Sequence, residues 1–346
     1  MDPIAEIKHL KKEYGQRLTI LAHYYQRDEV YELADVTGDS YKLALEASRA
    51  RAEYIIFCGV SFMAESARIL ARPDQRVLLP DHEAGCPLAD MVTAKECVRA
   101  LDDIRALSSR PVTPVLYINS SAAVKAAVGN AEGVTCTSSN AEWIVRSLLE
   151  EGRTVFFLPD GNLGINTARG LGLGEAEIAV FKRGRLNENA ASSARFFIWD
   201  GFCNVHARFT VTDIVKAKSR HPYALIVVHP ECPENVVARA DFAGSTSGIM
   251  AKVACARAGD VVYVGTELNL VRRLAASRSD IQVLPLRESG CMNMNKITPA
   301  KVLDAVRSLK ESASPFEVTV NEAEAAGARR ALSGMIERVE RERKKT

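Results

Sequence analysis

The 346-residue chain has no long apolar run. The longest, about Tyr54 to Ala64, contains Gly59 and Ser61 and falls short of the roughly 18 apolar residues a membrane span needs. No apolar leader core follows the charged, helix-patterned start Met1 to Lys12, which points to the cytoplasm. Neither charge is in excess: 45 Lys and Arg stand against 43 Asp and Glu, a net charge of +2, so no basic face for nucleic acid is offered. The one dense basic run, Arg338 to Lys345, lies in an alternating-charge C-terminus and reads as a solvated helix end. Also missing are a C-x-x-C pair, a G-x-x-x-x-G-K-[ST] loop and a G-x-G-x-x-G after a strand, since Gly170–Gly174 precedes no clear dinucleotide-binding helix. Structural zinc is therefore not favoured, and nucleoside triphosphates and NAD are set aside. What remains is an ordinary globular composition, 47% hydrophobic and 25% charged, long enough to bury a core without disulfides. Eight cysteines in such a chain are core thiols, metal ligands or nucleophiles.

Short runs rich in β-branched and aromatic residues alternate with helix-like stretches, which reads as α/β with parallel sheets. The expected strands are Leu18–Ala22, Tyr54–Cys58 and Arg76–Leu79; Pro114–Ile118, Thr154–Leu158 and Arg195–Trp199; and Ala224–Val228, Asp260–Val264 and Ile281–Leu284. The stretches Tyr41–Arg51, Ala141–Glu151 and Ser247–Arg257 are expected helices.

Polar residues divide the nine strands into three sets of three. The first strand of each set ends in a polar cluster: His23-Tyr24-Tyr25, Tyr117-Ile118-Asn119 and His229-Pro230-Glu231. A Ser/Thr-rich turn follows in each: Thr37 to Ser40, Cys136 to Ser139 and Gly244 to Gly248. A cysteine comes soon after each third strand: Cys86, Cys203 and Cys291. The pattern predicts three α/β units of roughly 100 residues: 1–108, 109–203 and 204–320, with a C-terminal helix over 321–346 packing on the first. Functional groups of open α/β units gather at the carboxyl ends of strands. Three αβα units around a pseudo-threefold axis, with those ends inward, make one central site.

Cys58, Cys97 and Cys255 fit the role of small buried hydrophobes. Cys86, Cys203 and Cys291 stand beside Gly or Pro in equivalent loops and read as metal ligands. Three thiolates suit zinc or an iron–sulfur cluster, and a four-iron cluster on three ligands keeps one iron open. An open iron acts as a Lewis acid. His9 and His221 read as surface residues, whereas His23, His206 and His229 fall in the convergent loops, where imidazoles bind carboxylates or move protons. Glu231 beside them reads as an acid or base. The Ser/Thr turns offer helix caps and free N–H groups for phosphate or carboxylate. Such a site fits condensation or dehydration of small carboxylated or phosphorylated molecules.

The segments LAHYYQ (Leu21–Gln26), TGDSYKLA (Thr37–Ala44), GCPLADM (Gly85–Met91), YINSSAAVKA (Tyr117–Ala126), CTSSNA (Cys136–Ala141), PDGNLG (Pro159–Gly164), CNVHARF (Cys203–Phe209), HPEC (His229–Cys232), GSTSGI (Gly244–Ile249) and CMNMNKIT (Cys291–Thr298) run through nearly the whole chain in order. Together they resemble the quinolinate synthase family, iron–sulfur enzymes of de novo NAD synthesis. The resemblance implies three similar α/β domains about a pseudo-threefold axis. It implies condensation of iminoaspartate with dihydroxyacetone phosphate to quinolinate, with loss of phosphate and two waters. It implies a [4Fe–4S] cluster on Cys86, Cys203 and Cys291, whose open iron binds substrate. His23, His229, Ser245 and Thr246 match positions that hold carboxylates, and Ser40 and Ser138 (or Ser139) match positions that hold phosphate. Tyr25 and Glu231 match the acid/base pair; Tyr117, Asn119 and His206 line the cavity near the open iron. An aspartate oxidase or dehydrogenase is the expected supplier of iminoaspartate. The chain departs from members with C-x-x-C-x-x-C at the last ligand, because Cys291 stands alone in Cys291-Met292-Asn293-Met294-Asn295-Lys296. An aconitase-like hydro-lyase and a non-catalytic iron–sulfur sensor are the alternatives. No role attaches to Gly161–Asn189 or to the tail beyond Pro315.

Overall fold

The computed structural model describes residues 2–182, 185–186 and 193–344. Three sheets, each flanked by helices, carry fourteen strands. The first sheet contains β1 (Leu18–His23), β2 (Val36–Gly38), β3 (Tyr54–Cys58) and β4 (Arg76–Leu78), in the order β2-β1-β3-β4. The second contains β5 (Val112–Tyr117), β6 (Val134–Cys136), β7 (Thr154–Leu158), β8 (Ile178–Lys182), β9 (Arg185–Leu186) and β10 (Phe196–Trp199), in the order β6-β5-β7-β10-β8-β9. The third contains β11 (Leu225–Val228), β12 (Phe242–Ala243), β13 (Val261–Gly265) and β14 (Gln282–Pro285), in the order β12-β11-β13-β14. All pairings are parallel except β8 with β9.

The common plan is a short edge strand, then the first, second and third strands of the repeat. Nine of these are the strands read from sequence. β3, β7 and β10 are buried along their whole length, and strands covered on both faces read as continuous apolar runs. The edge strands β2, β6 and β12 have two or three residues each, too few to show a period. β8 and β9 come from the stretch Gly161–Asn189, part of which (183–184 and 187–189) lies outside the described residues. Their effect is to cover β10, which would otherwise be the sheet's edge.

The C-terminal helix Glu322–Arg343 corrects one expectation; residues 345–346 lie outside the described set. It does not sit on the first unit alone. Its buried stripe, Ala328, Ala331, Leu332 and Met335, follows helical spacing, and its closest approach is to the helix Ala122–Asn130 of the second sheet. There Gly129 meets Gly327: a Cβ on Gly129 would lie 1.9 Å from the Gly327 carbonyl oxygen, so backbone touches backbone. Thr135 Oγ1 donates to the Ala331 carbonyl at 3.2 Å. On the other side Arg329 Nε donates to the Ile69 carbonyl of the first unit at 2.8 Å. The helix therefore bridges two units. No helix among the described residues is long and apolar enough to cross a membrane.

Candidate active site

The carboxyl ends of the three sheets meet at one cavity. Its lining includes His23, Ser40, Tyr117, Asn119, Ser138, His229, Glu231 and Thr246, together with all three loop cysteines. Cys86, Cys203 and Cys291 are partly buried and unpaired. Each is followed by a tight turn: Ala89 N–H returns to the Cys86 carbonyl at 2.9 Å, Ala207 N–H to that of Cys203 at 2.8 Å, and Asn295 N–H to that of Cys291 at 3.1 Å. Burial pushes all three thiols up, Cys86 to about 12, against the backbone N–H groups of Ala89, His206 and Met294 near the sulfurs. Thiols held protonated in this way are poor nucleophiles. Soft sulfurs around one cavity, each with an amide N–H three residues on, fit a metal–sulfur centre, because coordination itself deprotonates a thiol. An unpartnered buried acceptor, Asn119 Oδ1, belongs to the same lining. The remaining cysteines differ: Cys58 and Cys97 are buried as expected, but Cys255, expected in the core, is exposed where the helix Thr246–Ala254 ends.

β1 and β11 end in turns of the same kind. The amide of Tyr25 donates to His23 Nδ1 at 3.1 Å, and the amide of Glu231 to His229 Nδ1 at 3.3 Å. Gln26 N–H and Cys232 N–H close the two turns on the His carbonyls, each at 3.0 Å. A ring nitrogen that accepts an amide hydrogen leaves the proton on the other nitrogen, so both Nε2–H groups are free to donate to a ligand. Burial lowers the pKa of His23 to about 4; burial and the neighbouring His206 lower that of His229 to about 3. Both rings are neutral donors.

Glu231 accepts from the Tyr117 hydroxyl on one oxygen and lies 2.7 Å from His206 Nδ1 on the other. Burial alone would raise its pKa, but His206, His229 and the two hydrogen bonds outweigh it and hold the carboxyl well below the usual range. The His206 ring stacks on that of His229 at 4.4 Å. Its Nε2 lies 2.9 Å from Thr266 Oγ1, which lies 2.9 Å from the Tyr25 hydroxyl. Thr246 Oγ1 donates to that hydroxyl at 3.1 Å. Burial and the charge of Glu231 push the phenols of Tyr25 and Tyr117 well up.

Of the Ser/Thr turns, Ser40 begins the helix Ser40–Arg49, which Asp39 caps through Lys42 N–H. Ser138 faces the cavity, whereas the Ser139 hydroxyl turns to Thr137 Oγ1 at 2.8 Å. Ser245 is not in the lining; its hydroxyl caps the helix Thr246–Ala254 by accepting from Gly248 N–H at 3.2 Å, which leaves Thr246 facing the cavity. His9 is exposed, while His221 is half-buried with Nδ1 2.9 Å from the Tyr263 hydroxyl.

Sequence reasoning missed the groups that follow the second strands. Asp160, after β7, is fully buried; its Oδ1 accepts from Leu163 N–H at 2.7 Å, its Oδ2 has no partner, and burial together with Glu231 pushes it well up. Thr266 follows β13 and is also fully buried. The signal available was positional, since only the first and third strand ends were compared. Lys125 is a fully buried cation whose ammonium donates to the Ser120 carbonyl and stands 5.4 Å from the ring of Phe62, a cavity wall. Burial lowers its pKa to about 8. A lone lysine in the otherwise small and apolar helix Ala122–Asn130 was its sign.

The family profile described as "Quinolinate synthetase A protein" matches residues 5–337. A quinolinate synthase of Streptomyces coelicolor is 42% identical over 346 residues, covering 97% of this chain and 88% of its own. One from Herpetosiphon aurantiacus is 42% identical over 337 residues, covering 94% and 90%; one from a Geobacillus species is 40% identical over 336 residues, covering 95% and 92%. The matched span takes in every loop that lines the cavity, and the chain belongs to the quinolinate synthase family.

Proposed function

We propose that the chain condenses iminoaspartate with dihydroxyacetone phosphate, releasing phosphate and two waters as it closes the pyridine ring of quinolinate. The observation that carries this reading is the joint presence, on one cavity, of three loop cysteines, two neutral histidine donors, an ionised glutamate and serine-bearing helix starts. Cys86, Cys203 and Cys291 would hold a [4Fe–4S] cluster. When bound, it supplies an open iron that polarises a substrate oxygen or nitrogen.

The chain's own residues do the rest. His23 and His229, with Thr246, hold the carboxylates through Nε2–H and hydroxyl donors. Ser40 and Ser138 receive the phosphate beside N–H groups at helix starts; Ser245 acts only by capping. Glu231, kept ionised, takes protons, while Tyr25, kept protonated, gives them. Tyr117 and His206 orient the carboxylate from its two sides, and Asn119 offers an unpaired acceptor. Val60, Phe62, Met63, Val205 and Met294 wall the cavity and exclude the water that would hydrolyse an imine. Because that substrate is short-lived, an aspartate oxidase or dehydrogenase supplies it. The absence of disulfides among the eight cysteines supports a setting in the cytoplasm.

The test is iron and acid-labile sulfide per chain after anaerobic purification, read beside quinolinate formation. About four of each are expected for one cubane. Cys86→Ser is expected to lose both the cluster and turnover. Zinc in place of iron, or a full cluster retained by Cys86→Ser, would overturn the ligand assignment.

A further inference from the structure

The three units repeat one backbone bond beside each loop cysteine. In every unit the residue that starts the helix after the second strand donates its amide to the carbonyl two residues ahead of the cysteine. The pairs are Ser61 to Ala84 at 2.8 Å, Gly161 to Gly201 at 2.7 Å and Leu268 to Ser289 at 3.0 Å. The residue before each donor is the N-cap of its helix, and those residues are Val60, Asp160 and Glu267. Two of three equivalent positions therefore carry an acid, and both acids are fully buried.

Glu267 reaches its cysteine in full. Its Oε2 accepts from the amides of Asn269 at 2.8 Å and Leu270 at 3.4 Å and so caps the helix Leu268–Ser277; its Oε1 accepts from the amide of Cys291 at 3.2 Å. Glutamate is not among the preferred caps, which are Ser, Thr, Asp and Asn. Its extra methylene puts one oxygen on the helix and the other on the cysteine loop. Asn295 N–H holds the Cys291 carbonyl from the far side at 3.1 Å. With amide and carbonyl both tied, the backbone of Cys291 is fixed, and Sγ is confined to the few staggered positions about its own Cα–Cβ bond. Asp160 repeats the arrangement more loosely. Its Oδ1 caps the helix Gly161–Gly170 by accepting from Leu163 N–H at 2.7 Å. The amide of Cys203 lies near the same carboxyl and favours its charged form, short of a full hydrogen bond. Val60 offers no such group; its apolar side chain walls the cavity. Cys86 is stiffened instead by Pro87, since a proline narrows the backbone choices of the residue before it. Ser289 donates its hydroxyl to the Val205 carbonyl at 2.8 Å, so the two acid-anchored loops are also tied to each other.

We infer that Glu267, and Asp160 at the equivalent position, are positioning residues that hold the loops of Cys291 and Cys203 in the geometry a metal–sulfur centre needs. The inference rests on the reading of the three cysteines as cluster ligands. Each acid has two duties joined in one side chain: it starts a helix and it fixes a ligand loop against that helix. The loop is thereby ordered before any metal arrives, so coordination does not have to supply the cost of ordering it. Groups that orient metal ligands without touching the metal typically change metal affinity 10- to 100-fold when removed.

The discriminating variant is Glu267→Asp in the full chain. Aspartate is a good helix cap but is one methylene too short to hold the Cys291 amide as well. Three quantities are followed: iron per chain after anaerobic reconstitution, the first-order rate at which the loaded protein gives up iron to a ferrous chelator, and the thermal midpoint of the metal-free chain. The expected result is a metal-free midpoint within about 2 °C of wild type and iron release about 10- to 100-fold faster. Failure to load at all, with the midpoint unchanged, is the extreme of the same effect and supports the inference. Release within about twofold of wild type would overturn it. So would faster release matched by a metal-free midpoint several degrees lower, because a lost cap then accounts for both. Should Glu267→Asp not fold, Asp160→Asn decides by the same criteria. A wild-type chain that takes up no iron and sulfide would remove the cluster reading and the inference with it. That failure shows in the wild type alone, so it is distinct from a loaded wild type whose variants behave identically.

Discussion

His23-Tyr24-Tyr25 and His229-Pro230-Glu231 occupy the same place in two different sheets, and their backbones do the same thing. Each histidine accepts the amide two residues on, each is buried, and each is held neutral with its Nε2–H free. The third residue differs, and with it the proton chemistry. Tyr25 keeps its proton because burial and the Glu231 charge oppose ionisation; Glu231 has lost its proton because His206 and Tyr117 hydrogen-bond its two oxygens, with His229 close by. A repeated scaffold therefore presents one acid and one base at equivalent positions. Environments that push two groups apart in pKa are what separates such roles.

The comparison breaks most sharply at Glu231. Glu231→Gln keeps the size of the side chain but removes the charge that accepts from both Tyr117 and His206. The expected result is a fall of about 1,000-fold in quinolinate formation, with iron and sulfide unchanged. Turnover within a few-fold of wild type would remove Glu231 from the proton chemistry and leave the two turns as a structural repeat only.

A smaller effect tests the shared half of the comparison. His23→Asn and His229→Asn each remove one donor proposed to hold a substrate carboxylate. A hydrogen bond to a charged group contributes about 1.5–3 kcal/mol, so KM is expected to rise roughly 10- to 100-fold in each variant, with a smaller change in kcat. Equal rises support equivalent duties. A rise in only one would show that the repeat of geometry is not a repeat of function.

These contrasts also show what the sequence could and could not reveal. The long strands were legible because burial on both faces leaves a run such as Tyr54–Cys58 with no polar residue. The cysteine loops and the His-x-Tyr and His-x-Glu turns were legible because each sits at a strand end, where chemistry collects. Three things were not. The edge strands are too short to carry a pattern. The seat of the C-terminal helix depends on Gly327 meeting Gly129, a contact between residues far apart in sequence that no local periodicity encodes. Thr266 is a single hydroxyl after an apolar strand, and only the positions of Tyr25 and His206 give it meaning.

The smallest expected effect concerns stability, and it follows from the neutrality of the two histidines. In the unfolded chain a histidine takes up a proton as pH falls through about 6.5. Folded, His23 does so only near 4 and His229 only near 3. Between those values the unfolded state binds more protons, so stability is full above about pH 6.5 and declines as pH falls. At pH 5 each ring has withdrawn about 2 kcal/mol. Glu231 acts in the same direction, but only once pH drops into the usual carboxylate range, whereas the buried carboxyls of Glu267, raised to about 7, and Asp160, pushed well up, act in the opposite direction, so removal of the two imidazoles is what isolates the histidines. Between about pH 7 and 5 the thermal midpoint of the wild type is therefore expected to fall by several degrees relative to that of a His23→Asn, His229→Asn double variant, because asparagine does not titrate. An equal drop in both proteins would mean that other groups take up the protons, and the two turns would no longer be alike in holding a neutral imidazole.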